Sequence, residues 1–191
     1  MKVVIIGGVA GGATAAARLR RLDEHAEIII IERTHFVSYA NCGLPYYIGG
    51  TITDRSKLTL QTPESFHNRF NIGVRIDQEV TKIDRAAKQV AIHNLATGET
   101  YTETYDKLIL SPGAHPVIPD LPGIHSSRIH TLRTVEDTFA IADFIEHEQT
   151  GHQDKPFRAT IVGGGFIGLE MAENLVERGI EVTILQRPNH L

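Results

Sequence analysis

The sequence predicts an α/β fold in which a parallel sheet carries an antiparallel β-meander insertion and is followed by the start of a second, similar unit. A pattern of strand, glycine-rich turn, helix and strand occurs twice, in residues 4–33 and 160–187. Each copy has the length of one βαβ unit, about 30 residues. Between the copies, the segments 79–83, 89–93 and 100–105 alternate in hydrophobicity, which is typical of antiparallel strands.

The two copies predict the same succession of elements. In the first, an apolar strand ends at Ile6, a helix covers residues 11–22, and a strand rich in β-branched residues ends at Ile31. In the second, a helix covers residues 166–178 and the last strand runs through Leu185. A helical crossover between two strands is the connection that parallel strands require, so each copy predicts a parallel pair.

The remaining segments have less regular patterns. Residues 39–50 are predicted to be a loop, because glycine, asparagine, proline and tyrosine dominate them, and residues 63–70 a short helix. Residues 107–110 are predicted to be a buried parallel strand and residues 134–148 an amphipathic helix. Residues 150–156 are the predicted linker between two domains.

Composition restricts the class of protein. The chain has 191 residues, 41% of them hydrophobic, and a net charge of -4 without any basic cluster, so we expect a globular protein that does not bind nucleic acid. Its apolar runs are far shorter than the roughly 20 residues of a membrane helix. The single cysteine suits a reducing cytoplasm. The ten histidines form no i,i+4 pairs, so we expect no metal site.

The first glycine turn has the chemistry of a dinucleotide site. Glycine-rich backbone at the start of a helix offers free N–H groups and the positive end of the helix dipole to a pyrophosphate. Glu32, twenty residues after the last glycine, is placed to accept hydrogen bonds from a ribose. Val9 stands where the usual pattern has its middle glycine. The residues of this turn are Gly7, Gly8, Val9, Ala10, Gly11 and Gly12.

The second turn matches the dinucleotide fingerprint at Gly163, Gly165 and Gly168. Its last strand is followed by Gln186 and Arg187 instead of an acid. A carboxylate there favours NAD, whereas an arginine accommodates the extra phosphate of NADP. Gln186 can still hydrogen-bond a ribose, so the choice between NADH and NADPH stays open, with a slight preference for NADH.

The lone cysteine, Cys42, lies ten residues beyond Glu32. A single cysteine is most often a small buried hydrophobic residue. However, Cys42 stands in a segment rich in Gly, Pro and Tyr that leaves the carboxyl edge of a parallel sheet, where such sheets bind ligands. Because the thiolate is the reactive form of cysteine, Cys42 is a candidate redox nucleophile.

The sequence resembles the coenzyme A disulfide reductases and the NADH-dependent persulfide reductases, which are FAD-dependent pyridine nucleotide-disulfide oxidoreductases. The resemblance rests on residues 7–13, 38–46, 62–64, 110–114 and 163–170. It implies a Rossmann-like FAD-binding domain over residues 1–149, incomplete at its C-terminal part. It also implies the first βαβ unit of a truncated NAD(P)-binding domain over residues 150–191.

The resemblance also implies roles for individual residues, with Cys42 as the catalytic, redox-active centre. For the binding of FAD it implies Gly7, Gly8, Val9, Ala10, Gly11, Gly12, Glu32, Arg33, Asn41, Val80, Ser111, Pro112, Gly113 and Arg133. For the nicotinamide nucleotide it implies Gly163, Gly165, Phe166, Ile167, Gly168, Glu170, Gln186 and Arg187. For coenzyme A it implies Thr14, Arg18, Arg21, Ser38 and Asn41. Arg18 and Arg21 also fit an ordinary exposed helix face.

The implied reaction passes electrons from NAD(P)H through FAD to a disulfide or persulfide bound at Cys42, in a cytoplasmic homodimer. One alternative is an NADH oxidase or peroxidase that uses a cysteine sulfenic acid. Those relatives commonly have a histidine in the first glycine turn, where this chain has Ala10. The other alternative is an inactive nucleotide-binding fragment, and we expect the 191-residue chain alone to have little or no turnover.

Overall fold

The computed structural model describes residues 1–151 and 157–187, which form two compact units. Unit 1 comprises Met1–Tyr39 and Thr59–Ala114, and unit 2 comprises Ala40–Leu58 with the described residues of His115–Leu191. The chain therefore leaves unit 1 and returns to it. The predicted boundary between residues 149 and 150 concerns nucleotide-binding domains and stays a prediction.

The described residues contain nine strands and five α-helices. The strands are β1 (Lys2–Ile6), β2 (Glu27–Ile31), β3 (Gly73–Arg75), β4 (Gln78–Asp84), β5 (Gln89–Asn94), β6 (Thr100–Thr104), β7 (Lys107–Leu110), β8 (Arg158–Val162) and β9 (Glu181–Leu185). The helices are α1 (Ala10–Leu22), α2 (Leu44–Gly49), α3 (Pro63–Phe70), α4 (Val135–Gly151) and α5 (Phe166–Glu177). Two 3-10 turns cover Asn41–Gly43 and Arg55–Leu58.

Unit 1 is built on a four-stranded parallel sheet in the order β3-β2-β1-β7. Because side chains alternate along a strand, those of β1 pack in two cores on opposite faces of the sheet. Val3 and Ile5 pack on the side of α1 and α3, with Phe66. Val4 packs on the opposite face, with Val90 of β5. The central strand is thus buried on both faces, as in doubly wound sheets.

The strands β4, β5 and β6 form a separate antiparallel sheet in sequence order, which confirms the predicted meander insertion. A bulge shifts the β4–β5 register between Val80 and Lys82. Ile92 is fully buried in the core that the meander shares with the parallel sheet. The structure adds β3, a strand that the sequence analysis did not predict.

The prediction of a loop over residues 39–50 is wrong for most of that segment. A 3-10 turn at Asn41–Gly43 leads directly into α2, Leu44–Gly49. Glycine, proline and two tyrosines make the segment a poor helix former. The helix forms because Leu44 and Ile48 are both buried, Ile48 in the core of unit 2, so tertiary packing overrides local propensity.

Unit 2 contains the parallel pair β8–β9, the helix between these strands and the longer α4. Its core is formed by Ile48, Ile141, Ile145, Leu175 and Ile180. Within the predicted linker, Thr150 and Gly151 continue α4, and residues 152–156 lie outside the described part of the chain. In the ranges 1–151 and 157–187, no helix has the length and apolar character needed to cross a membrane.

Candidate dinucleotide and redox sites

At Gly7 and Gly12 the first glycine turn is packed too closely for a side chain. Gly7 has φ +92°, and a Cβ atom there would collide with the carbonyl oxygen of Ser111. A Cβ atom at Gly12 would collide with the carbonyl oxygen of Gly7, and one at Gly11 would lie 2.6 Å from Ser111 Oγ. Gly7 and Gly12 are therefore required by the fold itself, before any ligand is considered, whereas the contact at Gly11 is with a serine hydroxyl that can rotate away.

Glu32 is hydrogen-bonded to the backbone of the same turn. Its Oε2 accepts a 2.7 Å hydrogen bond from the backbone N–H of Gly8, and its Oε1 accepts from the backbone N–H and the hydroxyl of Thr34, both at 2.8 Å. The side chain is buried, with the residue only 6% exposed. A carboxylate has about four acceptor positions, so these three bonds leave one for a ribose hydroxyl.

The N-terminus of α1 has the features that a pyrophosphate requires. Its N-cap, Val9, makes no side-chain capping hydrogen bond, and its first turn carries no acidic residue. Ala10 and Gly11 are exposed. Terminal helix N–H groups without a side-chain cap attract an anion through hydrogen bonding and the helix dipole. Together with Glu32, this turn fits the adenosine diphosphate part of a flavin dinucleotide.

The other predicted flavin residues of unit 1 lie in different surroundings. Ser111 joins the turn, because its backbone N–H donates to the carbonyl oxygen of Ile6 at 2.8 Å and its own carbonyl faces Gly7. Pro112 and Gly113 follow it as exposed residues. Arg33 is exposed and pairs with Glu79 at 3.5 Å, while Val80 packs on the core beneath the meander.

The second glycine turn repeats the geometry of the first. The N–H of Gly163 donates to the carbonyl oxygen of Leu185 at 2.9 Å, as the N–H of Gly7 does to that of Ile31 at 2.8 Å. A Cβ atom at Gly168 would collide with the carbonyl oxygen of Gly163, which repeats the contact between Gly12 and Gly7. The side-chain oxygen of Gln186 accepts from the N–H of Gly164 at 2.9 Å.

Gly165 in the second turn has an open environment. A Cβ atom at Gly165 would meet nothing within 4 Å in the described part of the chain. Its φ of -74° suits any residue, so the fold itself does not require glycine here. The following residues Phe166 and Ile167 are 89% and 58% exposed, and Arg187 is exposed as well. The open surface at Gly165 fits a closely approaching pyrophosphate.

Cys42 is exposed on the 3-10 turn that precedes α2. The N–H of Gly43 donates to the carbonyl oxygen of Ala40 at 2.9 Å and closes this turn. Asn41, the residue before the cysteine, accepts a 2.9 Å hydrogen bond on Oδ1 from Nη1 of Arg133. The sequence analysis did not pair these two residues, which are 92 positions apart. The contact places Arg133 beside the cysteine turn within unit 2.

The residues predicted for coenzyme A are distributed over both units. Thr14, Arg18 and Arg21 are exposed on α1, where their spacing places them on one face. Ser38 has a φ of 50°, and its N–H donates to the carbonyl oxygen of Gly8 at 2.9 Å. Asn41 belongs to unit 2. In the described ranges, no three His, Cys, Asp or Glu side chains are grouped to hold a metal ion.

The fold and the two glycine turns define a Rossmann-type protein with two dinucleotide-binding βαβ units. The family model for "Pyridine nucleotide-disulphide oxidoreductase" matches residues 1–191, and the chain belongs to this family. The coenzyme A disulfide reductase of Staphylococcus epidermidis is 43% identical over 190 residues, which are 100% of this chain and 41% of the relative. The chain therefore spans about two fifths of the length of this curated relative.

Two solved structures are similar along nearly the whole chain. Reduced CoADR-RHD of Bacillus anthracis has a TM-score of 0.93 and 54% identity, over 98% of this chain and 33% of that one. An NAD-dependent persulfide reductase from A. fulgidus has a TM-score of 0.88 and 37% identity, over 96% of this chain and 33% of that one. The similarity confirms the Rossmann-type α/β fold.

Proposed function

We propose that this chain is the N-terminal part of an FAD-dependent reductase that passes electrons from NAD(P)H to a disulfide or persulfide, with Cys42 as the redox residue. The observation that carries the proposal is the presence of two geometrically equivalent dinucleotide turns in a chain with one exposed cysteine. Two related proteins are named for coenzyme A disulfide and for persulfide reduction, which supports substrates of this class. NADH is the slightly favoured donor.

In this proposal, the residues of unit 1 bind the flavin dinucleotide and orient it. The N–H groups at the start of α1 hold the pyrophosphate, and Glu32 orients the adenosine ribose. A bound flavin supplies the capacity to accept a hydride and to deliver its electrons as a pair. The protein side chains supply position and electrostatics.

Cys42 carries the sulfur chemistry. Its thiolate attacks one sulfur of the substrate disulfide, forms a mixed disulfide and releases the other sulfur as a thiolate. Two electrons and one proton then cleave the mixed disulfide, which restores the Cys42 thiolate and releases a second thiol. With a persulfide bound, the reduced sulfur leaves as sulfide. Thr14, Arg18 and Arg21 are proposed to bind the phosphates of coenzyme A.

The test is anaerobic stopped-flow spectroscopy of the full-length protein, with the Cys42→Ser variant as its control. The flavin is reduced with NADH and then mixed with coenzyme A disulfide, coenzyme A persulfide or oxygen. Rapid reoxidation by a sulfur compound that is lost in Cys42→Ser, with flavin content unchanged, is the expected result. Fast reoxidation by oxygen alone would instead favour the oxidase alternative.

We also propose that the whole protein is a homodimer and that it is located in the cytoplasm. Light scattering and fractionation of the native protein test these two points. We also expect the isolated chain to bind FAD weakly. A purified 191-residue chain that is yellow and turns over substrate would contradict this expectation.

A further inference from the structure

The helix that follows Cys42 is too short to be stable by itself. α2 spans six residues, Leu44–Gly49, whereas isolated helices shorter than about 12 residues are marginal even with favourable sequences. The chain reverses immediately after it, because Gly50 caps the helix with φ 89°. Contacts with the rest of unit 2 must therefore determine where α2 lies and, through it, how the preceding cysteine turn is held.

Helix α5 supplies the most specific of these contacts. Nη1 of Arg178, the C-cap residue of α5, donates a 2.8 Å hydrogen bond to the carbonyl oxygen of Ile48. The last carbonyls of a helix have no partner within it and lie at the negative end of its dipole. The guanidinium group satisfies one such carbonyl and neutralises partial charge at the same point. Ile48 itself is fully buried in the core of unit 2.

One turn earlier on α5, Asn174 packs against the same end of α2. The residue is only 1% exposed, and a Cβ atom at Gly49 would lie 2.5 Å from its Oδ1. Nδ2 of Asn174 donates to the backbone carbonyl of Glu170 at 2.8 Å. The two helices are thus in direct van der Waals contact at a position where only glycine fits.

The geometry points to Arg178 as a positioning residue for Cys42, which it affects by fixing the C-terminal end of α2 onto the nucleotide-binding helix α5. Glu170, Asn174 and Arg178 are spaced four residues apart, so they follow one face of α5 from the second glycine turn towards α2. Arg178 makes its hydrogen bond to the backbone of α2. It acts through α2, on the sulfur step of the proposed reaction, and the inference rests on that proposed function.

The test compares the two half-reactions in the full-length holoenzyme carrying Arg178→Met. Reduction of the flavin by NADH is expected to be unchanged. Reoxidation by coenzyme A disulfide is expected to be slower by about tenfold to a hundredfold, because a displacement of about 1 Å at a reacting group has effects of this size. Arg178→Lys, which keeps a cationic donor, is expected to recover part of the rate. Arg158→Met, which removes an exposed arginine paired with Glu181 in the same unit, is the matched control.

Two further measurements separate positioning from loss of structure. The alkylation rate of Cys42 by iodoacetamide is expected to change in Arg178→Met and not in Arg158→Met. Gly49→Ala, which displaces α2 through its contact with Asn174, is expected to slow the same half-reaction. Equal slowing of both half-reactions with loss of flavin, or a wild-type sulfur step in Arg178→Met, would overturn the inference. A wild-type enzyme that no sulfur compound reoxidises would refute the proposed function instead, and the alkylation rates would still test Arg178.

Discussion

Gln186 occupies in the second βαβ unit the position that Glu32 occupies in the first. Each side chain accepts a hydrogen bond from the second glycine of its turn, at 2.9 Å from Gly164 and at 2.7 Å from Gly8. The hydrogen bond is the same, but the charge differs, because one acceptor is an amide and the other a carboxylate. The second turn therefore lacks the negative charge that would repel a phosphate group on the ribose.

The first prediction concerns that missing charge. In Gln186→Glu, the carboxylate is expected to keep the bond to Gly164 and to disfavour NADPH through repulsion of its 2′-phosphate. We expect kcat/KM for NADPH to fall at least about tenfold relative to NADH, which corresponds to ~1.4 kcal/mol. Steady-state kinetics with both nucleotides check this. Arg187→Ala is measured in parallel as the companion variant. An equal loss of kcat/KM with both nucleotides in Gln186→Glu would contradict the position assigned to Gln186.

The second prediction separates a binding glycine from a folding glycine. Gly165→Ala places its Cβ in open space, so thermal stability is expected to stay the same while the Kd for the nicotinamide nucleotide rises. Gly168→Ala forces a collision with the Gly163 carbonyl and is expected to lower the melting temperature. Differential scanning calorimetry and nucleotide titration on both variants give the comparison. Unchanged nucleotide affinity in Gly165→Ala would show that no ligand approaches there.

The third prediction concerns Glu32. Glu32→Ala leaves the buried N–H of Gly8 without its acceptor, which costs about 1–3 kcal/mol of unfolding free energy. The protein is also expected to lose flavin on dilution, because the ribose loses its acceptor. Glu32→Gln keeps one acceptor oxygen and is expected to be milder in both respects. Urea unfolding and the ratio of flavin to protein absorbance measure the two effects, and equal values for both variants would refute this account.

The fourth prediction is a pH dependence in unit 1. Burial of Glu103 opposes its ionisation, but hydrogen bonds from Lys2 and Arg75 outweigh burial, and the pKa of Glu103 is lowered. The ion pairs measure 2.8 Å to Lys2 and 2.7 Å to Arg75. Since the pKa is lower in the folded protein, the stabilisation is complete at neutral pH. It is lost as the pH falls from about 4.3, the ordinary glutamate value, through the folded-state pKa.

Glu103→Gln tests this dependence. The variant is expected to melt at a lower temperature at neutral pH and to lose less stability between about pH 5 and pH 3 than the wild type. Thermal melts of the holoenzyme across this range provide the measurement. Parallel curves for the two proteins would mean that other carboxylates determine the acid sensitivity.

The sequence predicted the elements whose signals are local and repeated. The βαβ units and the meander carry strong periodicity, and the strand Lys107–Leu110 and the helix Pro63–Phe70 have the predicted bounds. The prediction that Lys107–Leu110 is buried is wrong, because this strand pairs only with β1 at the edge of the described sheet and Leu110 is exposed. The three-residue β3 has too few residues for a pattern and is formed by pairing with β2. α2 was missed because its stability comes from residues more than 80 positions away, such as Ile141.

The residues of the candidate sites also divide into those with a local sequence signal and those placed by distant contacts. The glycines and Glu32 were predictable because their spacing along the chain reflects the turn they form. Two contacts were not predictable: that of Arg133 with Asn41 and that of Arg178 with Ile48. Nothing in the local sequence of an arginine indicates which distant carbonyl oxygen it will meet. Gly165 and Gly168 belong to one motif, and only the structure shows that the fold needs the second and not the first.

Arg178 and Ile48 are separated by 130 residues, which has a consequence for synthesis of the protein. A ribosome that adds about 5–20 residues per second exposes α2 roughly ten seconds before α5. During that interval the nascent chain carries Cys42 and the apolar side chain of Ile48 without the helix against which Ile48 packs. The packing of α2 behind the cysteine turn is therefore completed only after α5 has been synthesised, and slowing or accelerating translation between these helices would change how long the Cys42 thiol is present without this contact.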